Sequence, residues 1–177
     1  AQCGVDDVVL RYPGIYGDSL SNLRRRVESF GMRSSVVEGY LPIEEIKLGT
    51  PERDREIGVI AELLREMNGE GVGILCYNMI AGSDWSRTSA TKKARGGALV
   101  TGFDRDSGKI LEPVRSDKIV PKAELWDNLK YFLDHILPVA EESGIVLAMH
   151  PDDPPLPVLG GQARIMWSVE AFEKLMD

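Results

Sequence analysis

Apolar positions along the chain alternate between two periods. Short β-branched or aliphatic runs at Val5–Tyr12, Ser34–Glu38, Val72–Tyr77 and Ile145–Leu147 read as strands. Between them, apolar residues recur at helical spacing. Leu20, Leu23, Val27 and Phe30 mark one helix, with Asp18 as its N-cap and Gly31 as its stop. Ile57, Ile60, Ala61, Leu64 and Met67 mark a second, entered through the Thr50 cap with Pro51 at the first helical position and closed by Gly69 and Gly71. Leu125, Leu129, Phe132, Leu133, Ile136 and Val139 mark a third between Pro121 and Glu142, kinked at Pro138. A last amphipathic helix runs from Ser168, its cap, to Met176.

This βα repetition predicts a parallel sheet flanked by helices, with every strand exit on one side. Four units are visible. A complete (β/α)8 barrel takes roughly 250 residues, so 177 residues predict about half of a TIM-type barrel in one domain. Residues 39–49 form a long loop, and residues 89–121 break the pattern and read as an insertion. A hairpin within it is expected to pair Ala98–Phe103 with Lys109–Leu111. The outer strands have no visible partners, and naked parallel edges favour association, so missing sequence or a homo-oligomer is expected. The first residue is Ala rather than Met, which leaves room for an upstream segment.

Chemistry concentrates at the strand exits. After Ile145–Leu147 comes Ala148-Met149-His150-Pro151-Asp152-Asp153-Pro154-Pro155, where two prolines end the strand beside an imidazole and two carboxylates. Such a place suits a metal or a sugar; it equally suits a structural turn. The third strand exits into a loop holding Asn78, Asp84, Trp85, Arg87 and Thr88.

Composition narrows the partners. The formal charge is −7, from 21 Lys and Arg against 28 Asp and Glu, and the only basic blocks are Arg24–Arg26 and Lys92–Arg95. Nucleic acid is therefore not expected. Cys3 and Cys76 make no disulfide framework, and no apolar run approaches the roughly 18 residues of a membrane helix, so a soluble cytoplasmic protein is expected.

Three stretches together resemble the mannonate dehydratases of hexuronate catabolism. They are Ser35–Glu38 with Ile46–Gly49, Cys76–Asn78 with Asp84–Thr88, and Ala148–Pro155 with Arg164-Ile165, in matching order and approximate spacing over roughly residues 20–177. The resemblance implies a metal-dependent lyase on a xylose-isomerase-like barrel, converting D-mannonate to 2-keto-3-deoxy-D-gluconate and water. Its cofactor would be a divalent metal, Mn²⁺ or Fe²⁺, and its partner a small-molecule sugar acid. The proton α to a carboxylate is weakly acidic, so the reaction needs a cation for the developing charge, a base, and an acid for the departing hydroxyl. By the resemblance His150 is a metal ligand. Glu38, Arg87 and Asp152 are the catalytic candidates, and Tyr77, Asn78, Asp84, Arg87 and Arg164 would bind substrate, Arg87 through its two-pronged guanidinium.

Each assignment has a plainer alternative. His150 is either a ligand or a histidine bonded within its loop, and Arg87 with Asp84 either grips substrate or makes an intraloop ion pair. Trp85, part of the family-like stretch, equally reads as a packing plug beneath the loop. Tyr77 and Asn78 either point into the mouth or satisfy loop backbone. Cys76 reads first as a small core residue and His135 as a solvated one. Asp152 and Asp153 can orient His150.

Two departures from the family pattern bear on function. Ile43 stands where a His normally precedes the acidic pair Glu44-Glu45, and the family's remaining ligands, a Cys, a second His and an Asp, would lie beyond Asp177. One imidazole cannot hold a catalytic cation, so the 177 residues alone are not expected to catalyse the dehydration. The competing readings are a sugar isomerase or epimerase of the same barrel superfamily, and a degenerate, non-catalytic sugar-acid-binding relative.

Overall fold

A computed structural model describes residues 3–15, 17–82, 86–107 and 118–177. They group into two compact units: residues 1–78 with 127–150, and residues 79–126 with 151–177.

The first unit is built on a four-stranded parallel sheet of β1 (Asp7–Leu10), β2 (Arg33–Glu38), β3 (Ile74–Tyr77) and β6 (Val146–Met149), in the order β1-β2-β3-β6. Parallel neighbours need crossovers, and helices supply them: α1 (Leu20–Glu28) follows β1, α2 (Glu44–Leu48) and α3 (Arg53–Glu70) follow β2, and α4 (Lys122–Ser143) precedes β6. One row across the sheet, Leu10, Val37, Leu75 and Leu147, carries three of the molecule's buried aliphatics, Leu10, Val37 and Leu75. The helices contribute Leu20, Ile60, Leu64, Met67, Leu129, Phe132 and Ile136 to the core. Each fully buried aliphatic or Phe side chain contributes about 1.5–3 kcal/mol relative to exposure. The alternate row, Val9, Val36, Ile74 and Val146, is different: its ends are open, Val9 at 49% and Val146 at 62% exposure.

The second unit holds two small antiparallel hairpins. Strand β4 (Ser89–Lys93) pairs with β5 (Leu99–Gly102), and β7 (Val158–Leu159) with β8 (Gln162–Ala163). The latter turns on Gly160-Gly161, both at positive φ (55° and 78°), as a two-residue type I′ turn demands. Helix α5 (Val169–Met176) is capped by Ser168, whose hydroxyl accepts the Ala171 N–H, as its sequence predicts. Lys174 on α5 lies over the Trp126 ring, 4.0 Å from its centre.

Several local expectations are corrected. Ser19, not Asp18, caps α1 by accepting the Asn22 N–H; Asp18 instead accepts from the Ser19 N–H and the Asn22 side chain. Phe30 lies past the end of α1 and is exposed. Helix α3 begins at Arg53 rather than at Pro51, because the Thr50 hydroxyl donates to Glu45 instead of capping. Pro138 lies within α4 at an exposed position, and the helix continues past it to Ser143. In the insertion, Leu99–Gly102 pairs backwards onto Ser89–Lys93; the expected partner segment Lys109–Leu111 lies outside the described residues.

The expected loop 39–49 contains α2, whose Ile46 and Leu48 are buried. Five residues cannot hold a helix by propensity, so tertiary bonds fix it. The buried Glu56 carboxylate of α3 accepts the Ile46 N–H at 3.1 Å, and the buried Asn128 amide of α4 donates to the Lys47 carbonyl at 3.0 Å. Gly49 ends α2 at φ 64°, where a Cβ would meet Asn128 Oδ1 at 2.5 Å.

Burial raises the Glu56 carboxyl above its ordinary value of 4.5, outweighing its two backbone donors, the amides of Ile46 and Glu45. The unfolded chain then releases this proton first, so the Glu56 contribution to stability falls as pH rises from about 4.5 through the raised native value. Glu56→Ala, which leaves buried N–H groups without an acceptor, is expected to cost about 1–3 kcal/mol in urea unfolding. Glu56→Gln, which keeps a carbonyl oxygen, is expected to cost less and to remove this fall of stability with rising pH.

Candidate functional site

Strand register decides which side chains meet at the exits of the first unit. Glu38 pairs with Cys76, and Cys76 with Ala148, so these three share one face of the sheet. The His150 N–H donates to the Tyr77 carbonyl at 2.7 Å, carrying the ladder past the end of β6 and placing His150 two residues beyond Ala148. Glu38, Asn78 and His150 are half-buried there. Burial first, and then the Glu38 charge, push the Cys76 thiol above its ordinary value, so it is held as the neutral thiol at neutral pH.

Tyr77 belongs to the opposite face. Its ring meets Phe132 of α4 edge-on, 5.5 Å between centres, and burial, with a smaller contribution from Cys76, pushes its hydroxyl up to about 12. It is a packing residue at the back of the sheet, apart from the row that carries Glu38. Core packing was neither of the two places the sequence offered for Tyr77, the mouth or the loop backbone.

In the second unit the loop after His150 is tied to its own downstream segment. Asp152, 3% exposed, accepts the Met166 N–H through Oδ2 at 2.7 Å and returns its own N–H to the Met166 carbonyl at 2.9 Å. Arg164 is fully buried, with Nη1 donating to the Asp153 carbonyl at 3.4 Å. Asp153 makes a fork-to-fork pair with Arg87: Nη1 to Oδ1 at 3.1 Å and Nη2 to Oδ2 at 2.6 Å. Arg87 is further held by the Thr101 hydroxyl at 3.2 Å and the Ser86 carbonyl at 3.0 Å. Thr88 fixes the root of the β4–β5 hairpin, its N–H donating to Gly102 and its hydroxyl accepting from Asp104.

The structure thus brings Glu38, Cys76 and His150 to one strand edge, and joins Arg87, Asp153 and Arg164 in one network. Asp84 and Trp85 lie outside the described residues. Sequence reasoning missed Gln162, fully buried, whose side chain accepts the Val120 N–H and donates to the Lys118 carbonyl; nothing in its Gly-Gly-Gln context announces this. It also missed Thr101 as an Arg87 partner, because the two meet only through the hairpin pairing.

The model of one family, D-mannonate dehydratase (UxuA), matches residues 14–115 and 108–177. The chain belongs to the D-mannonate dehydratase family. It is 31% identical to the mannonate dehydratase of Streptococcus agalactiae, over 90% of this chain and 52% of that protein. It is 33% identical to that of Bacillus subtilis, over 84% and 49%. The solved mannonate dehydratase of Streptococcus suis serotype 2 superposes with a TM-score of 0.83 at 28% identity, covering 98% of this chain and 54% of that one. An L-ribulose 3-epimerase structure, 11% identical with a TM-score of 0.58, shares the fold. The fold is the TIM-barrel type, of which this chain supplies about half, and it spans about half the length of the curated relatives it matches.

Membership in the mannonate dehydratase family implies a divalent metal, and the donor set can be tested against that. Among the described residues no cluster of three His, Cys, Asp or Glu side chains could hold a metal ion. His150 is one imidazole, where a protein site ordinarily supplies about three or more ligands. The described residues do not fit a complete metal centre. No described helix is long and apolar enough to cross a membrane.

Asp152→Ala leaves the Met166 N–H without its acceptor, and is expected to cost about 1–3 kcal/mol and speed hydrogen exchange at the Met166 amide. Asp152→Asn keeps a carbonyl oxygen and is expected to protect that amide largely as before.

Proposed function

We propose that this chain serves a hydro-lyase that converts D-mannonate to 2-keto-3-deoxy-D-gluconate and water. The observation that carries the proposal is family membership over nearly the whole chain, including the strand-exit loops that bear the polar residues. Because the chain spans about half of its relatives, the activity is proposed for the complete protein.

In this reading the substrate is a small sugar acid. Arg87 takes its carboxylate, since a guanidinium fork matches two carboxylate oxygens. Glu38, at the exit of β2, is the proposed acid–base group, and Asn78 a hydroxyl contact. Asp152 is proposed to act by fixing the loop that follows His150, a role its two backbone bonds to Met166 support. Arg164 likewise supports Asp153 from within the loop. His150 is the proposed metal ligand from this half, with Mn²⁺ or Fe²⁺ as the ion and cytoplasm as the location. No step through the ion follows from these residues. Among the described residues β1 pairs only with β2, and β6 only with β3, so both sheet edges are open. Those edges, with the exposed Val9 and Val146, support association with further strands and a homo-oligomeric protein.

His150→Ala in the complete protein is expected to lose bound divalent metal and D-mannonate turnover together, as metal analysis and product formation would report. Unchanged metal content and rate would remove His150 from the centre.

A further inference from the structure

The Arg87 guanidinium is engaged by a carboxylate in the geometry a sugar acid would use. Asp153 takes both Nη groups at 3.1 and 2.6 Å, two parallel N–H···O bonds to two oxygens of one carboxylate. The pair is not sealed from water: the side chains are 26% and 40% exposed. Two further contacts orient Arg87 independently of Asp153. Nε donates to Thr101 Oγ1 on β5, and Nη1 donates to the carbonyl of its neighbour Ser86. Asp153 in turn has its backbone carbonyl, rather than its carboxylate, bonded to the buried Arg164. Departure of the Asp153 carboxylate therefore leaves both the guanidinium and the loop backbone with partners.

We propose that Asp153 is an internal competitor for the anion seat on Arg87, so that a sugar-acid carboxylate binds there by displacing the Asp153 side chain. This rests on the reading of Arg87 as the carboxylate-binding residue, and adds that the chain itself occupies the seat when no sugar acid does. Exchange of one carboxylate for another on the same fork conserves the number of charge-assisted bonds. A half-exposed ion pair has little net strength to overcome, since water already competes for both partners. Affinity for the sugar acid is then set by the difference between two carboxylates on one guanidinium. An acidic residue at position 153 weakens the binding of any carboxylate on Arg87, the sugar acid included. Asp153 accordingly sets the affinity of that seat without needing to touch the substrate.

The test is calorimetric titration of D-mannonate and of neutral D-mannose into the complete protein carrying Asp153→Asn, Asp153→Ala or Arg87→Ala. Removing the competitor is expected to tighten D-mannonate binding by roughly two- to fivefold, the weight of a partly exposed ion pair, and to leave D-mannose unaffected. Looser or unchanged D-mannonate binding in both Asp153 variants, with binding still lost in Arg87→Ala, would overturn the proposal and leave Arg87 as the carboxylate residue. Unchanged binding in Arg87→Ala, or none in the unmutated protein, would overturn both. A readout on the unmutated protein guards against misfolded variants: the ¹⁵N resonance of Arg87 Nε and the carboxyl ¹³C resonance of Asp153 should shift together on adding D-mannonate. A shift at Arg87 with none at Asp153 would also overturn the displacement.

Discussion

The register of four parallel strands is the constraint on which the rest depends. Side chains alternate across a strand, so a slip of one residue would exchange every inward for every outward position. In the observed register Leu10, Val37 and Leu75 fall into the buried row, while Glu38, Cys76 and Ala148 fall together on the other face. Burial of the first row against the helices therefore fixes the second. The polar strand ends are brought together by packing on the far side that is mainly apolar. His150 inherits the same register through its N–H bond to the Tyr77 carbonyl.

Beyond the strand ends the chain is held by different physics. Prolines at 151, 154 and 155 prevent the ladder from continuing, and side-chain bonds to backbone take over: Asp152 to Met166, Arg164 to Asp153, Gln162 to Val120 and Lys118. These are buried polar groups, costly if left unpaired, so they fix the loop's conformation more strictly than apolar contacts would. The Arg87–Asp153 pair differs because it is partly open to water. A ligand can compete at that point without dismantling the rest.

The parts legible in the sequence were those with period. Four strands and three long helices follow from repeated apolar spacing, as do the Ser168 cap and the βα order. Helix α2 was illegible because its stability comes from Glu56 and Asn128, ten and more than eighty residues downstream of the groups they bond. Thr50 has the right chemistry for a cap and spends its hydroxyl on Glu45. Tyr77, open in the sequence between the mouth and its loop backbone, is sent by alternation to the back, against Phe132. The family was legible in the exit loops, since their residues answer to chemistry rather than to packing. The partners of those residues, Thr101 for Arg87 and Met166 for Asp152, were not, because tertiary pairing alone brings them near.

The proposed sugar-acid hydro-lyase activity of the complete protein is open to direct assay. The direct measurement is to incubate the complete, unmutated protein with D-mannonate and Mn²⁺ in deuterated water and follow the products by NMR. The expected result is 2-keto-3-deoxy-D-gluconate formed with loss of the C2 proton and the C3 hydroxyl, and no reaction of neutral ketohexoses. Epimerisation of a ketohexose with D-mannonate untouched would contradict it.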